Sequence, residues 1–309
     1  MFKYGFKLLL FFLPLLLLTT FVEYKARMSS VPNNYTAKRA IVERNISTTQ
    51  VFITGSSHAY YGILAKRLGV PAVNLAYLSQ DVYYDTRILL KYLPQAAETK
   101  LVIVPISYFT LEYKLEQNLE SSNRVNFYTK LWEIPPEKEK FDLAQYSSIA
   151  LFGFQPARNF ALFKVMPKSE EMDETGSYVS KSISNLTNIK NAKAGIDEKH
   201  RTMKAESIPQ NVQYLSEIFE ALQAKNISVV IITTPCFPTY YEALDVERYA
   251  LMQSEIRKLS EKYGIEYKNY LNDERFVTED FQDSSHLSTK GAEKFSDIIK
   301  DEIVQKYVK

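Results

Sequence analysis

Four short apolar runs, spaced by segments of helical character, constrain the fold of this chain more than any other feature. They are Thr49–Gly55, Ala72–Leu75, Leu101–Ile106 and Ser228–Thr234. Runs so short and so apolar read as strands buried on both faces, the mark of a parallel sheet. Helices are predicted between them. One starts at the Ser56–His58 turn and runs through Leu68, and another covers Gln80–Leu93 and is ended by Pro94. Asn211–Lys225 carries Val212, Leu215, Ile218, Phe219 and Leu222 on one stripe. Leu244–Tyr263 is stopped by Gly264, Glu266–Tyr270 forms a fifth strand, and Thr289–Val308 is the last helix. The predicted class is therefore α/β: a three-layer α/β/α sandwich around a mainly parallel five-stranded sheet.

Tyr108 to about Ser207 breaks this rhythm. A stretch of that length without sheet character is too long for a plain loop. It is expected to be an insertion, 108–207, of helices and loops forming a cap or a partner surface. Residues 23–48 are polar and of mixed charge, a stalk with a first helix around Tyr35–Arg44. The sheet-bearing domain spans 49–309.

At the N-terminus, Lys3 and Lys7 precede an uncharged run from Leu8 to Val22. A spanning helix needs roughly 17–25 residues, which Tyr4–Val22 just supplies if Lys7 snorkels. Glu-Tyr-Lys-Ala-Arg follows Val22, with no small-x-small cleavage site. An uncleaved signal anchor over 1–22 is favoured over a cleaved signal peptide. Two lysines ahead of the run place everything after Val22 outside the cytoplasm.

A net charge of +2 gives no pull toward nucleic acid. No P-loop, Cys-x-x-Cys pair or His-Glu-x-x-His helix is present. With one cysteine, Cys236, and three histidines, neither a disulfide nor a protein-built metal site is expected, and no cofactor.

Two distant segments carry chemistry. Val51-Phe-Ile-Thr-Gly55-Ser56-Ser57-His58 is a strand ending in a glycine-serine turn, and Asp283-Ser-Ser-His286 precedes the last helix. Ser57 is the candidate nucleophile, His286 its base and Asp283 the carboxylate that fixes the imidazole tautomer. Taken singly, Ser56 or Ser57 could merely cap a helix, and Asp283 could merely hold a turn. Both segments follow strands of one parallel sheet, so both lie at its carboxyl edge. His58 and tyrosines Tyr60, Tyr61 and Tyr108 are candidate substrate contacts. Lys190–Lys204 reads as a solvated basic face and Cys236 as a buried small residue.

These two blocks resemble the SGNH hydrolase (GDSL-like) superfamily, whose sheet is flavodoxin-like. The resemblance covers about 49–107 and 209–308. It implies that Ser57 is the nucleophile, with Ser56 standing in the aspartate slot, and that Asp283 and His286 complete the triad. The family's oxyanion glycine has no counterpart in Asn74–Gln80, and Ser107 stands in the asparagine slot. The oxyanion candidates are thus the Ser57 backbone N–H, Ser79, Gln80 and Ser107. The Gly-Ser-Ser turn, the anchor and the insertion together resemble the branch of the D-alanyl-lipoteichoic acid transfer protein and the alginate O-acetylation accessory proteins. That branch implies an extracytoplasmic O-acyltransferase or esterase acting on a cell-surface glycan beside a membrane-bound O-acyltransferase. The alternative is a scaffold that kept the fold, lost catalysis, and positions such a partner.

Overall fold

The computed structural model describes residues 2–29, 33–118, 121–163, 172–179, 189 and 192–308. Residues 30–32 of the expected stalk, and 119–120, 164–171, 180–188 and 190–191 of the expected insertion, lie outside the described residues. In chain order the elements are α1 (Phe2–Ser29), α2 (Asn34–Asn45), β1 (Val51–Ile53), α3 (Ser57–Gly62), β2 (Ala72–Asn74), α4 (Val82–Tyr92), β3 (Leu101–Pro105), α5 (Arg124–Leu131), α6 (Ser148–Phe152), α7 (Phe154–Phe163), α8 (Ala192–Thr202), α9 (Ile208–Gln223), β4 (Ser228–Thr233), α10 (Pro238–Glu242), α11 (Val246–Tyr263), β5 (Glu266–Asn269) and α12 (Thr289–Ile299). They fall into two compact units, Met1–Ala37 with Asn123–Ser169, and Lys38–Ser122 with Glu170–Lys309.

The second unit holds the sheet, in the order β2-β1-β3-β4-β5 with every pairing parallel. β1 pairs Val51 with Ala72 on one side and with Leu101 on the other. The chain therefore leaves β1 in one direction and returns across it in the other. Right-handed crossovers then put α3 on one face and the later crossover helices on the opposite face. In keeping with this, α3 packs with α12, while α9 packs with α4 and α11. The reversal opens a crevice at the carboxyl end of β1. β1 and β3 are buried along their whole length, which is why they read as unbroken apolar runs. Truncating Ile103, which has no exposed surface, to alanine costs about 2–5 kcal/mol.

The helix expected from Ser56 to Leu68 stops at Gly62, and a 3₁₀ turn follows at Ala65–Arg67. Two tertiary acceptors cause the break. The Leu64 N–H donates to Ser296 Oγ (2.8 Å) and the Ala65 N–H to Ser177 Oγ (2.9 Å). Pro94 does not end α4 abruptly but sits in a 3₁₀ turn, Leu93–Gln95. Gly264 closes α11 at φ 64°, a left-handed C-cap. The last helix, expected over Thr289–Val308, is α-helical to Ile299, passes through a π-turn, Lys300–Val304, and closes with an α-helical turn, Gln305–Tyr307.

In the first unit, Val22 and Ala26 of α1 pack on Ala157, Phe160 and Ala161 of α7. Glu23 accepts the N–H groups of Ser148 (2.8 Å) and Ile149 (2.9 Å), capping α6. Residues 23–29, expected in a polar stalk, instead continue α1. Among the described residues no helix is long and apolar enough to cross a membrane, so the spanning segment expected over 1–22 is not supported. Leu8, Phe11, Phe12, Leu15, Leu16 and Leu17 nonetheless present an exposed apolar surface on α1.

Candidate active site

The Gly55–Ser57 turn is built from both sides. Gly55 follows β1 at φ +113°, where a Cβ would stand 3.3 Å from Ala59 Cβ, so only glycine fits without strain. Its N–H donates to Asp85 Oδ1 (2.7 Å), its carbonyl accepts the Tyr77 N–H (3.1 Å), and Gln80 Nε2 donates to the same Asp85 oxygen (2.6 Å). Asp85, from α4, thus clamps the turn. Burial drives its carboxyl up to about 6, opposed by the bonds from Gln80 and Gly55 and by the charge of Lys38. Ser56 occupies the N-cap position of α3 but makes no side-chain cap bond. Ser57, the next residue, faces His286.

His286 is carried by a hairpin-like loop. The Gln282 N–H bonds the His286 carbonyl (3.0 Å), the Ser288 N–H bonds the Asp280 carbonyl (2.8 Å), and Phe281 bridges Leu287. From the end of β4, the Phe237 N–H donates to the Ser284 carbonyl (2.9 Å), tying this loop to the sheet edge. Buried Cys236 beside it points its Sγ at the Ser285 carbonyl (3.6 Å).

Ser57 Oγ lies 2.9 Å from His286 Nε2. His286 Nδ1 lies 2.9 Å from Asp283 Oδ2 and 3.1 Å from Oδ1. Asp283 also accepts the N–H groups of Ser285 (2.8 Å) and His286 (2.9 Å). Burial alone would raise the Asp283 carboxyl, but the bond from and charge of His286, with these two N–H groups, hold it well below the usual carboxylate range. An ionised Asp283 keeps the proton on Nδ1 and leaves Nε2 free to accept from the Ser57 hydroxyl. His58 and Tyr61 meet the His286 ring edge-to-face, with centroids at 5.1 and 5.3 Å. They fix the plane of the imidazole.

A cavity of about 570 Å³ opens beside Ser57. Ser79 also lines it and holds φ 54°, a strained backbone of the kind that gathers at sites. Two expected oxyanion donors are not in this wall. Gln80 spends its amide on Asp85 and on the Leu75 carbonyl (3.2 Å), and buried Ser107 gives its N–H to Thr110 Oγ1 (2.9 Å). The expected substrate contacts also shift. His58, Tyr60 and Tyr108 are buried, and neither they nor Tyr61 line the cavity. His58 stands behind His286, its pKa pushed well down by burial and by the charge of His286. Tyr108 bonds His200 Nε2 (2.8 Å).

Two residues escaped the sequence reading. Asp85 gives no signal, because its partner Gly55 is distant in sequence. Lys199 sits in the stretch read as solvated, yet it lines the cavity with Arg201 and Thr202 on α8. Lys190 lies outside the described residues. Among the described residues no group of three His, Cys, Asp or Glu side chains could hold a metal.

A family described as a protein of unknown function (DUF1574) matches residues 205–303, about a third of the chain. No curated protein matches the sequence. Among solved structures, a GDSL-like lipase from Bacteroides thetaiotaomicron is similar at 10% identity and a TM-score of 0.42, covering 88% of this chain and 99% of the other. An acetyl xylan esterase is similar at 8% identity and a TM-score of 0.42, covering 82% of this chain and 99% of the other. Likeness this slight does not extend to function; the chemistry rests on the geometry of Ser57, His286 and Asp283.

Proposed function

We propose that this chain is a serine esterase or O-acyltransferase of the SGNH type. The observation that carries the reading is the unbroken relay from Ser57 Oγ to His286 Nε2 (2.9 Å) and from Nδ1 to Asp283 (2.9 Å), opening on a cavity. Ser57 Oγ attacks an acyl carbonyl as its proton passes to His286 Nε2. The tetrahedral intermediate collapses, the ester C–O bond breaks, and His286 returns the proton to the departing alkoxide. Water or a sugar hydroxyl then resolves the acyl-enzyme by the same proton path. The Ser57 N–H and the Ser79 hydroxyl, on two residues that line the cavity, receive the oxyanion. Glycan acyl groups as substrate, and a membrane-bound O-acyltransferase as partner, extend this reading on the resemblance of the Gly55-Ser56-Ser57 turn.

The exposed apolar surface of α1 supports attachment to a membrane, and the lysines Lys3 and Lys7 ahead of it favour the Ser57 site lying outside the cytoplasm. Deleting 1–22 should move the protein from floating with lipid vesicles to the soluble fraction; unchanged flotation refutes the attachment. The scaffold alternative draws on the displaced Gln80 and Ser107, but a scaffold has no physical need for an aligned triad. The decisive assay is hydrolysis of para-nitrophenyl acetate by purified protein. Ser57→Ala should fall to the uncatalysed rate with an unchanged circular dichroism spectrum, and retained turnover overturns the proposal.

A further inference from the structure

One wall of the cavity is α8, which contributes Gly195, Glu198, Lys199, Arg201 and Thr202. Two cations stand there against one carboxylate; Glu198 and Arg201 are both exposed and screened by solvent, and Lys199 is the less exposed charge of the three. Lys199 is only partly exposed, and its Nζ lies 4.1 Å from the centre of the Phe109 ring. Among the described residues no carboxylate lies within ion-pairing distance of that ammonium or of the Arg201 guanidinium. Asp283, whose charge reaches Lys199, commits its oxygens to His286 and Ser285. A cation–π contact repays only part of the cost of a desolvated ammonium. Burial accordingly pushes the Lys199 pKa down. An anion entering the cavity would complete the pair.

The position of the ammonium decides what that anion is. The Phe109 ring that carries it meets the His58 ring at 5.4 Å, and His58 meets His286 at 5.1 Å. Two aromatic rings thus link Lys199 to the base, and Lys199 lines the same cavity as Ser57, where a substituent on a substrate held at Ser57 can meet it. Resting on the esterase or acyltransferase reading, we propose that Lys199, backed by Arg201, binds a carboxylate or phosphate carried by the substrate beside its scissile ester.

The test uses the full chain and matched ester pairs. For an anion on the acyl group, the pair is para-nitrophenyl hydrogen succinate and the neutral pentanoate. For an anion on the acceptor, transfer from para-nitrophenyl acetate to glycerol 3-phosphate is compared with transfer to glycerol. The wild type should favour the anionic member of at least one pair, and the pair that responds identifies the source. Lys199→Met should lower that anionic-to-neutral ratio of kcat/KM about 10- to 100-fold, the usual effect of losing a charged hydrogen bond, and Lys199→Arg should restore most of it. A ratio near one in both wild-type pairs, or one unmoved by Lys199→Met, overturns the proposal. Inorganic phosphate titrated into Ser57→Ala protein reads the subsite without turnover. Saturable binding weakened by Lys199→Met supports it, and absent binding counts against it. Failure of the wild type to turn over any ester overturns the esterase reading instead, and leaves the phosphate titration to judge Lys199.

Discussion

Asp85→Asn isolates the clamp beneath Ser57. Burial raises the carboxyl from 3.8 to about 6, while its Oδ1 accepts from Gly55 (2.7 Å) and Gln80 (2.6 Å). A carboxyl raised on folding binds its proton more tightly in the native state than in the unfolded chain. Stability therefore falls as pH rises between the unfolded and folded values, and the full penalty is carried above about pH 6. A rise of that size corresponds to about 3 kcal/mol, since each tenfold change in proton affinity is worth roughly 1.4 kcal/mol. Asparagine keeps the Oδ1 acceptor and never ionises. Urea unfolding of both proteins between about pH 4 and pH 8 should show the variant gaining on the wild type by up to about 3 kcal/mol as pH rises. A difference that stays constant with pH refutes the reasoning. Asp85→Ala should differ by a constant. It gains on the wild type with pH in the same way but carries an added, pH-independent cost of about 1–3 kcal/mol, because it strands the buried Gly55 N–H, and it loosens the turn that aims Ser57.

Asp283→Asn turns an amide NH₂ toward His286 Nδ1 and forces the ring proton onto Nε2, where it cannot accept from Ser57. Ester turnover should drop on the order of 10⁴-fold in kcat, measured by steady-state kinetics, while KM changes little. Gly291→Ala places a Cβ 1.9 Å from the Asp280 carbonyl oxygen, which also accepts the Ser288 N–H. The first turn of α12 must shift, so thermal unfolding should report a loss of about 3 kcal/mol or more, with reduced turnover because the same loop carries Asp283 and His286.

The parallel sheet was legible because β1 and β3 are buried on both faces, which leaves an unbroken apolar signature. Its order, β2-β1-β3-β4-β5, could not be read from any single run and came only from the flavodoxin-like sheet that the resemblance implies. That Ser57 and His286 meet was legible because strand ends of one parallel sheet share an edge. What the chain hid are contacts made between distant residues. Gly62 ends α3 because hydroxyls of Ser296 and Ser177 capture the next N–H groups. Gln80 looked like a free donor until Asp85 proved to hold its amide. Lys199 looked solvated because a mixed-charge helix carries no mark of the Phe109 ring beneath it. The apolar N-terminal run was legible as a helix, but its continuation through Glu23 and Arg27 was not.

The central claim is that Ser57 is a nucleophile activated by His286. A fluorophosphonate reagent followed by peptide mass spectrometry tests it most directly. The account predicts one adduct per chain, on Ser57, retained in Ser56→Ala, abolished in Ser57→Ala and slowed at least about 10²-fold in His286→Ala. Labelling that survives Ser57→Ala, or that proceeds unchanged without His286, would contradict it.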